Sequence, residues 1–330
     1  MRMPGFWYAN GNRLLRGLLS PLGWLYGRAT LARLSRSGWR APVPVMSIGN
    51  FTAGGAGKTP TTIALVRALQ TRGMNPFVLS RGYGGSETGP LRVDLAQHVA
   101  SQVGDEPLLI ARSCPVIVAH NRAEGARLAL TQGADCIVLD DALQNPDVVK
   151  DFSLAVVDGG FGFGNGACVP AGPLRAPIAA TLQRVSAALV IGKDEAGIAA
   201  QLASIPVFSS RMEPEDSTRA LKGKPVIAFC GIGRPEKFHA TLREIGANII
   251  AQHDFGDHHA YSDNEARALL TEAQTTGAQL VTTEKDAMRL AGTAALDDLA
   301  MASTIVPICL SLPPKLLEQV YLACDSNRKR

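Results

Sequence analysis

The first two thirds of the chain alternate short apolar runs with stretches of helical periodicity. The apolar runs are too short for helices and show no polar alternation, which is typical of strands buried on both faces of a parallel sheet. They are Val43–Ile48, Pro76–Leu79, Pro115–Val118, Cys136–Leu139, Leu154–Val157 and Ala187–Ile191. Helical patterns at Thr61–Gln70 and Ala123–Gln132 separate some of them. The order predicts an α/β fold with a doubly wound, mostly parallel sheet and ligands at the carboxyl ends of its strands.

A second, smaller set of apolar runs follows a polar segment at Arg211–Gly223, which we interpret as a linker. The later runs are Pro225–Phe229, Asn248–Ile250, Gln279–Thr283 and Thr304–Ile308. Pro235 predicts the start of one helix, and the capping-box pattern from Ser262 to Glu265 predicts the start of another. At 330 residues the chain is long for a single core. We predict a leader over 1–40, a catalytic domain over 41–212 and a smaller α/β domain over 213–330.

The segment Pro44–Thr62 has the layout of a phosphate-binding loop, namely a strand, a glycine-rich turn, Gly-Lys-Thr and a helix. Glycines without Cβ atoms let backbone N–H groups converge on an anion at the positive end of the helix. The residues predicted to hold a nucleoside triphosphate are Asn50, Gly54, Gly55, Gly57, Lys58 and Thr59. Lys58 would reach the outer phosphates, and the Thr59 hydroxyl would ligate Mg²⁺. Because Thr52 stands where the general pattern has Gly, a plain turn that caps a helix is the alternative.

Two acidic motifs follow the phosphate loop along the chain. The run Cys136–Leu139 leads directly into Asp140 and Asp141, the position at which nucleotide-binding enzymes hold Mg²⁺. Solvated turn carboxylates are the alternative. The loop Gly104–Pro107 offers Asp105 and Glu106, and a carboxylate of this kind would take the proton of a hydroxyl acceptor. The pattern alone does not choose between these two acids, and a helix N-cap is the competing interpretation.

Further loops carry groups suited to anionic or titrating roles. Arg81 and Tyr83 lie in a glycine-rich loop after the second strand, where Arg81 would clamp a phosphate. Arg175 ends a proline-rich loop and, with Tyr83, is a candidate for substrate contact. His258 lies in Phe255–His259 and would couple to a carboxylate across a cleft between domains. The segment Thr282–Asp286 is either a capping loop or a cleft contact.

The leader is basic and free of acidic residues, since the first Asp or Glu of the chain is Glu87. Its seven arginines are Arg2, Arg13, Arg16, Arg28, Arg33, Arg36 and Arg40, and it also contains all three tryptophans. On a helix over Leu14–Gly27 most leucines fall on one arc, and Pro21 predicts a kink. The charge-free run Gly17–Gly27 would span about 16 Å, too little for a hydrocarbon core of about 30 Å. We therefore predict an interfacial amphipathic helix, with packing on the protein's own domain or a signal peptide as alternatives.

The cysteines and the overall charge exclude some classes of protein. The six cysteines are scattered, with no Cys-x-x-Cys pair, which favours reduced buried thiols over a disulfide framework or a zinc site. The formal net charge is only +4. The basic leader is interleaved with leucines and the rest of the chain is net acidic, which argues against a nucleic-acid binder.

Taken together, the motifs resemble the tetraacyldisaccharide 4′-kinase (lipid A 4′-kinase) family. The resemblance extends over most of the chain, and it depends on the joint order of the motifs. In chain order these are SIGNFTAGGAGKTP, LSRGYGG, VGDEP, VLDDALQN, PAGPLR, FCGIGRPEKF, FGDHHAY and TTEKDAMRL. The family implies a core similar to P-loop NTPases and transfer of the γ-phosphate of ATP to the 4′-hydroxyl of a tetraacylated glucosamine disaccharide 1-phosphate. It also implies peripheral attachment at the cytoplasmic face of the inner membrane, and no stable protein partner.

The resemblance also implies roles for individual residues. Lys58 and Thr59 would serve ATP and Mg²⁺, with Lys58 counted among the catalytic groups. Asp105 would be the base for the 4′-hydroxyl, supported by His258. Glu106 would join Asp140 and Asp141 around the metal and the phosphates.

Three positions depart from the family pattern. The family has Gly and His where this chain has Ala142 and Asn145, so a histidine role at Asn145 does not carry over and the turn at Ala142 is in question. Ala176 stands where the family tends to have Glu. The alternative function is a membrane-associated switch ATPase of the partition or targeting type, which would share the phosphate loop and the lipid-binding helix but need no acceptor site.

Overall fold

A computed structural model of the protein describes residues 4–328. Arg2 and the rest of residues 1–3, together with the end of the predicted frayed tail at 329–330, lie outside the described residues. The strands of the larger sheet are β1 (Val45–Gly49), β2 (Pro76–Ser80), β3 (Leu91–Arg92), β4 (Val116–Val118), β5 (Cys136–Asp140), β6 (Phe152–Asp158), β7 (Ala187–Ile191) and β8 (Val207–Ser210). The remaining strands are β9 (Met212–Pro214), β10 (Pro225–Cys230), β11 (Asn248–Asp254), β12 (Gln279–Thr283), β13 (Ser303–Val306) and β14 (Ile308–Leu310).

The helices surround these sheets. They are α1 (Arg13–Leu34), α2 (Lys58–Thr71), α3 (Ala100–Val103), α4 (Asp105–Ala111), α5 (Arg122–Thr131), α6 (Ile178–Leu182), α7 (Ile198–Gln201), α8 (Pro235–Ile245), α9 (Asp263–Thr276), α10 (Glu284–Ala287), α11 (Ala294–Ala302) and α12 (Pro314–Arg328). Short 3₁₀ turns lie at Gly5–Trp7 and Asp216–Leu221. Pro235 opens α8, and the Ser262 capping box opens α9, as the sequence predicts.

The larger sheet has the order β3-β4-β2-β5-β1-β6-β7-β8. All its pairings are parallel except that of β3 with β4. The central strands β1, β2 and β5 are buried at every residue, which explains why they read as unbroken apolar runs. The predicted fold class, a doubly wound and mostly parallel sheet, is confirmed.

The second sheet is smaller and wholly parallel, with the order β11-β10-β12-β13. It has its own apolar core, built around Phe229, Leu269, Leu280 and Leu299. The chain crosses between the two sheets twice. The two crossing segments pair as an antiparallel ribbon, in which β9 from the predicted linker binds β14.

The C-terminal helix α12 packs back on the larger sheet. Its buried residues Leu316, Val320 and Cys324 belong to the same apolar cluster as Leu69 of α2. The Tyr321 hydroxyl donates a hydrogen bond of 3.2 Å to the Ala68 carbonyl. The end of the chain therefore stabilises the larger domain, whereas the boundary at residue 213 stays a prediction.

The leader forms one long helix, and Pro21 lies inside it. Its glycine side faces the protein: Gly23 and Gly27 are buried, and a Cβ atom at either position would meet Cys168. Its leucine side faces outward, with Leu14 85% and Leu18 76% exposed. No described helix is long and apolar enough to cross a membrane. The leucines on the exposed side are thus left uncovered. The buried residues of the helix are Gly23, Gly27, Thr30 and Leu34.

Candidate active site

A cleft of about 1600 Å³ lies between the two sheets. The carboxyl ends of the central strands of the larger sheet form one wall, where the phosphate loop, Arg81 and Asp140 lie. The opposite wall includes His258 and Lys285 from the smaller sheet. This placement follows the rule that open parallel sheets bind ligands at the carboxyl ends of their strands.

The phosphate loop joins β1 to α2 in the predicted order. Gly54 and Gly57 have φ of 116° and 94°, values that side chains with a Cβ atom rarely adopt, and Gly57 is the N-cap of α2. The buried Asn50 amide donates a hydrogen bond of 3.1 Å to the Gly54 carbonyl and so fixes the turn. Lys58 and Thr59, which open the helix, line the cleft. Backbone N–H groups and a helix N-terminus therefore meet at one point, which suits a phosphate.

Thr52 does not disturb this loop. It is not among the residues with positive φ, so its position does not require Gly. Its carbonyl accepts a hydrogen bond of 3.2 Å from Arg175 Nε, and the adjacent Ala53 N–H donates one of 2.7 Å to Pro173. The proline-rich loop that carries Arg175 is thereby tied to the phosphate loop.

Two aspartates end β5 and have different partners. Thr62 Oγ1 donates a hydrogen bond of 3.1 Å to the buried Asp140 carboxylate. Asp141 turns away with φ of 49° and accepts two hydrogen bonds of 2.9 Å from Arg175 Nη1. Lys58 Nζ lies 3.8 Å from Asp141 Oδ2. The adjacent acids thus point to different places, as adjacent residues at a strand end do.

The surroundings of Asp140 and Asp141 shift their pKa values in opposite directions. Burial and the nearby negative charges of Glu106 and Asp141 raise the pKa of Asp140 to about 7. Burial also opposes ionisation of Asp141, but Lys58 and Arg175 outweigh it, and its pKa is lowered. Asp140 is therefore the carboxyl of this wall that lacks enough positive charge.

Asp105 and His258 come from the two sides of the cleft and meet. Asp105 begins α4 and is 3% exposed, and His258 Nδ1 lies 3.0 and 3.2 Å from its carboxylate oxygens. Burial opposes ionisation of Asp105, but the His258 hydrogen bond and the Lys285 charge lower its pKa. An ionised carboxylate only accepts, so His258 donates through Nδ1. Of the pair, His258 is the member that lines the cleft.

Two basic side chains that sequence reasoning left unassigned hold these acids. Lys285, in the segment for which a capping loop and a cleft contact were alternatives, donates a hydrogen bond of 2.8 Å to Glu106. Burial opposes ionisation of Glu106, but Lys285 and Lys58 lower its pKa to about 2. Arg289 Nε lies 3.3 Å from Asp105, and its Nη2 lies 3.0 Å from Asp286. The segment serves both purposes, because Thr283 also caps α10.

One signal in the sequence was available for the second cation. Asp286 and Arg289 are three residues apart in a helical turn, a spacing that brings opposite charges together. Another residue, Arg122 at the start of α5, gave no such signal. It is 3% exposed and donates a hydrogen bond of 3.0 Å to the Asp140 carbonyl.

The remaining predicted residues lie around the same cleft. Arg81 is exposed and lines it. Tyr83 is 70% exposed, and its ring packs edge-on against His258 with 5.3 Å between centroids. Ala142 does not have a positive φ, and the Asn145 amide donates a hydrogen bond of 3.0 Å to Asp147. The turn after β5 therefore needs no Gly at Ala142, since the left-handed residue is Asp141.

The oxygen ligands around Asp140 suit a hard cation. Thr59 offers a hydroxyl, while Glu106, Asp140 and Asp141 offer carboxylates, and oxygen ligands are those that Mg²⁺ prefers. The raised pKa of Asp140 is the supporting observation, because a nearby dication would relieve the repulsion from Glu106 and Asp141.

Known proteins are similar to this chain over most of its length. The family model described as tetraacyldisaccharide-1-P 4′-kinase matches residues 15–324. The tetraacyldisaccharide 4′-kinase of Methylobacterium sp. (strain 4-46) is 51% identical over 319 residues, which is 95% of this chain and 94% of the relative. The protein of the same name from Rhodospirillum rubrum is 48% identical over 296 residues, or 88% and 89% of the two chains.

A solved structure shows the same fold. The structure of LpxK from Aquifex aeolicus in complex with ATP has a TM-score of 0.74 and 26% sequence identity to this chain. The match extends over 94% of this chain and 99% of that one. Since both the family model and close relatives match nearly the whole length, the chain belongs to the tetraacyldisaccharide-1-P 4′-kinase family.

Proposed function

We propose that this protein transfers the γ-phosphate of ATP to the 4′-hydroxyl of a tetraacylated glucosamine disaccharide 1-phosphate, a step in lipid A biosynthesis. The observation that carries the proposal is a phosphate loop on one wall of the cleft together with the Asp105–His258 pair, which joins the two walls. A nucleotide and a hydroxyl acceptor would meet between them. The relatives' name and the ATP in the Aquifex aeolicus structure support the same reaction.

The larger domain would bind the nucleotide. Gly54, Gly55 and Gly57 leave space for the phosphates against the backbone, and Lys58 carries a positive charge at the same point. Arg81 is exposed at the edge of the cleft and would pair with a phosphate oxygen. Because phosphoryl transfer depends mostly on positioning and charge stabilisation, these groups would account for much of the catalysis.

Mg²⁺ would be held by Thr59, Asp140 and Asp141, with Glu106 beside them. When bound, the ion supplies positive charge to the phosphates and to the transferred group. The two walls meet at Glu106, which lies between Lys58 of the phosphate loop and Lys285 of the smaller sheet. Both lysines keep Glu106 ionised, so it would remain available as a ligand or as a hydrogen-bond acceptor for bound water.

The Asp105–His258 pair would accept the proton of the 4′-hydroxyl. His258 lines the cleft, and the buried Asp105 carboxylate holds its imidazole through Nδ1. An ionised carboxylate in that position orients the ring and stabilises the imidazolium, so both members are needed for proton transfer. Arg175 and Tyr83, which also line the cleft, remain candidates for contacts with the substrate.

The leader would bring the protein to the cytoplasmic face of the inner membrane. A substrate with four acyl chains stays in the bilayer, and the exposed leucines of α1 would enter its interface. Trp24 is 61% exposed, and Arg28 lies over its ring at 5.1 Å, which is suited to the polar headgroup region. Trp7, in the 3₁₀ turn before α1, lines the cleft, so the start of the leader lies beside the active site.

A switch ATPase of the partition or targeting type is the weaker candidate. Such a protein needs the phosphate loop and a lipid-binding helix but no group that deprotonates an acceptor. The contact of His258 and Arg289 with Asp105 across the cleft is a feature that a transferase would use and that a switch ATPase does not need.

The test is incubation of the purified full chain with Mg²⁺, ATP and the tetraacylated disaccharide 1-phosphate in detergent micelles. We expect mass spectrometry to show one added phosphoryl group, and fragmentation to place it on the sugar that lacked phosphate. ATP hydrolysis without a phosphorylated lipid would favour the switch ATPase. The control is Asp298→Asn, an exposed change on α11 at a residue that does not line the cleft, which should react as the wild type does.

A further inference from the structure

A second group of polar side chains lies outside the cleft, at the carboxyl end of the smaller sheet. Cys230 ends β10 and Asp254 ends β11, and the two are register partners in adjacent parallel strands. His239 lies on the second turn of α8, which packs beside these strands. One ligand atom from each of the three residues lies within 4.8 Å of the others.

The contacts within this Cys230–His239–Asp254 cluster are those of potential metal ligands. His239 Nε2 lies 2.7 Å from Asp254 Oδ1, and Cys230 Sγ lies 4.0 Å from the same oxygen. Ligands at about 2.0–2.3 Å from a tetrahedral zinc ion lie about 3.3–3.6 Å from one another. All three ligand atoms lie within 4.8 Å of one another. Side-chain shifts of about 0.5–1 Å would therefore convert the present contacts into a metal coordination shell.

The cluster is buried on one side and open on the other. Cys230 has no exposed surface and His239 is 4% exposed, whereas the Asp254 side chain is 28% exposed. A cavity of about 450 Å³ adjoins it, with His239, Asp254 and Tyr8 among its lining residues. Glu236 and Arg243 also line this cavity and carry opposite charges. An ion thus has a path of entry, and water can occupy a fourth position.

From this arrangement we propose that Cys230, His239 and Asp254 form a zinc-binding site with one open coordination position. A thiolate, an imidazole and a carboxylate are a mixed set that a borderline-soft cation prefers over Mg²⁺. On binding, a zinc–sulfur bond would form and the Cys230 thiol proton would leave to solvent. The imidazole of His239 would lose its Nε2 proton and carry its hydrogen on Nδ1, so that Nε2 and the Asp254 carboxylate bind the metal instead of each other.

The surroundings of the thiol determine its state when no metal is bound. Burial and the neighbouring carboxylates of Asp286 and Asp254 raise the pKa of Cys230. Without a metal the thiol therefore stays protonated and unreactive, and a dication at the cluster is what would favour the thiolate.

The site is linked to the active-site cleft by one residue. Gly231 follows Cys230, its N–H donates a hydrogen bond of 2.7 Å to Asp286, and its carbonyl accepts one of 3.0 Å from Arg289. Arg289 in turn contacts Asp105. A zinc ion would join Cys230 and Asp254 of the smaller sheet to His239 of α8, so its main effect would be to stabilise the packing of α8 on that sheet. It would also hold Cys230, the residue before Gly231, in place.

Metal binding is measured on the full chain after dialysis, first against a chelator and then against zinc sulfate. We expect about one zinc ion per chain by atomic emission, and a melting temperature about 5 °C higher than that of the chelated protein. Cobalt substituted for zinc should give the charge-transfer absorption of a cobalt–thiolate bond. Cys230→Ser should abolish that absorption and weaken zinc binding by more than about 100-fold.

Two further variants keep the test decisive. Asp254→Asn alters the half-exposed ligand and should lower zinc affinity in a protein that still folds, while Cys114→Ser, a buried thiol in the other core, should leave zinc binding unchanged. Zinc bound equally by wild type and Cys230→Ser, or less than a tenth of an equivalent bound at about 10 µM free zinc, would overturn the site. Neither result bears on phosphoryl transfer, because the kinase assay uses Mg²⁺ and other residues.

Discussion

Asp105 and Asp140 are both almost fully buried carboxyls beside the same cleft, yet their surroundings push them in opposite directions. Asp105 lies among groups contributed by the smaller sheet, namely His258, Lys285 and Arg289, and its pKa is lowered. Asp140 lies among the acids of the larger sheet, and burial together with Glu106 and Asp141 raises its pKa. Burial is common to both, so the sign of the shift is set by the neighbouring charges.

The difference indicates how the two halves of the molecule divide the work. The smaller sheet provides the cations that keep an acceptor-side carboxylate ionised. The larger sheet concentrates negative charge where a phosphate loop would deliver nucleotide, and that charge is balanced only when a metal ion is present. The catalytic arrangement therefore depends on both sheets, although the nucleotide groups lie on one.

The largest expected effect is on the Asp105 side. Asp105→Asn keeps the size of the side chain but removes its charge, so it should lower turnover by about 10²–10⁴-fold. ATP affinity should change little, because the phosphate loop is untouched. Steady-state phosphorylation of the lipid and calorimetric titration with ATP measure the two quantities. A parallel loss of ATP affinity would mean that Asp105 supports the nucleotide instead of the acceptor.

Asp140→Asn should make the metal-free protein more stable and at the same time lower its activity. A carboxyl with a raised pKa in the folded protein disfavours folding as pH rises from its ordinary value toward about 7. Without metal at pH 8, the variant should be about 2–4 kcal/mol more stable than the wild type, and the difference should shrink at pH 5. Denaturant unfolding at the two pH values measures this.

The same variant should lose activity by about 100-fold and require more Mg²⁺. Added Mg²⁺ should stabilise the wild type more than Asp140→Asn, since the cation offsets the repulsion that the variant lacks. If the variant is less stable than the wild type at pH 8 without metal, repulsion of Asp140 by Glu106 and Asp141 is not what destabilises the metal-free protein.

A smaller effect is expected from a change at Lys285, the lysine whose charge acts on both Asp105 and Glu106. Lys285→Gln removes a positive charge that lowers the pKa of both Asp105 and Glu106. Because the Asp105–His258 pair accepts a proton only while Asp105 is ionised, activity is lost as pH falls through the pKa of Asp105, and the acidic limb of kcat/KM should move to higher pH. We expect the loss to be greatest at the acidic end of the profile, below about pH 5, and small at pH 8. Lys222→Gln, an exposed change, is the control.

The smallest expected effect on chemistry comes from the leader. Changing Leu14 and Leu18 to Glu places charge on the exposed side of α1 without touching its glycine contacts. Binding to anionic lipid vesicles should fall by about 10-fold or more, whereas activity on substrate in detergent should fall less than twofold. Leu322→Glu, at a leucine 66% exposed on α12, is the matched control. Unchanged vesicle binding would refute the anchoring role.

Much of the fold could be predicted from the sequence because its strands are buried on both faces. Ala187–Ile191 and Gln279–Thr283 have the predicted bounds, and β5 differs by one residue. The ribbon of β9 and β14 was not predicted, since Met212–Pro214 is too short and polar to give a period. The return of α12 to the larger sheet was also missed, because nothing in a helical pattern tells which core it covers.

The site residues that lie close together in the sequence could be predicted from it. The phosphate loop and the acids after β5 are marked by their order, whereas Lys285 and Arg289 act on Asp105 from more than a hundred residues away. The leader shows the same limit. Its apolar arc was visible in the sequence, but that Gly23 and Gly27 would make the contact with Cys168 depends on the fold.

The most direct test is a titration of the two carboxyls themselves. The protein is labelled with ¹³C at the aspartate side-chain carboxyl carbons and studied without nucleotide or metal. Asp105→Asn and Asp140→Asn each remove one carboxyl resonance and so assign it. We expect the Asp105 resonance to titrate below the ordinary range of aspartate and the Asp140 resonance well above it, with Mg²⁺ moving the Asp140 midpoint downward. An Asp140 midpoint at or below that of Asp105 would contradict the division of charge on which the account depends.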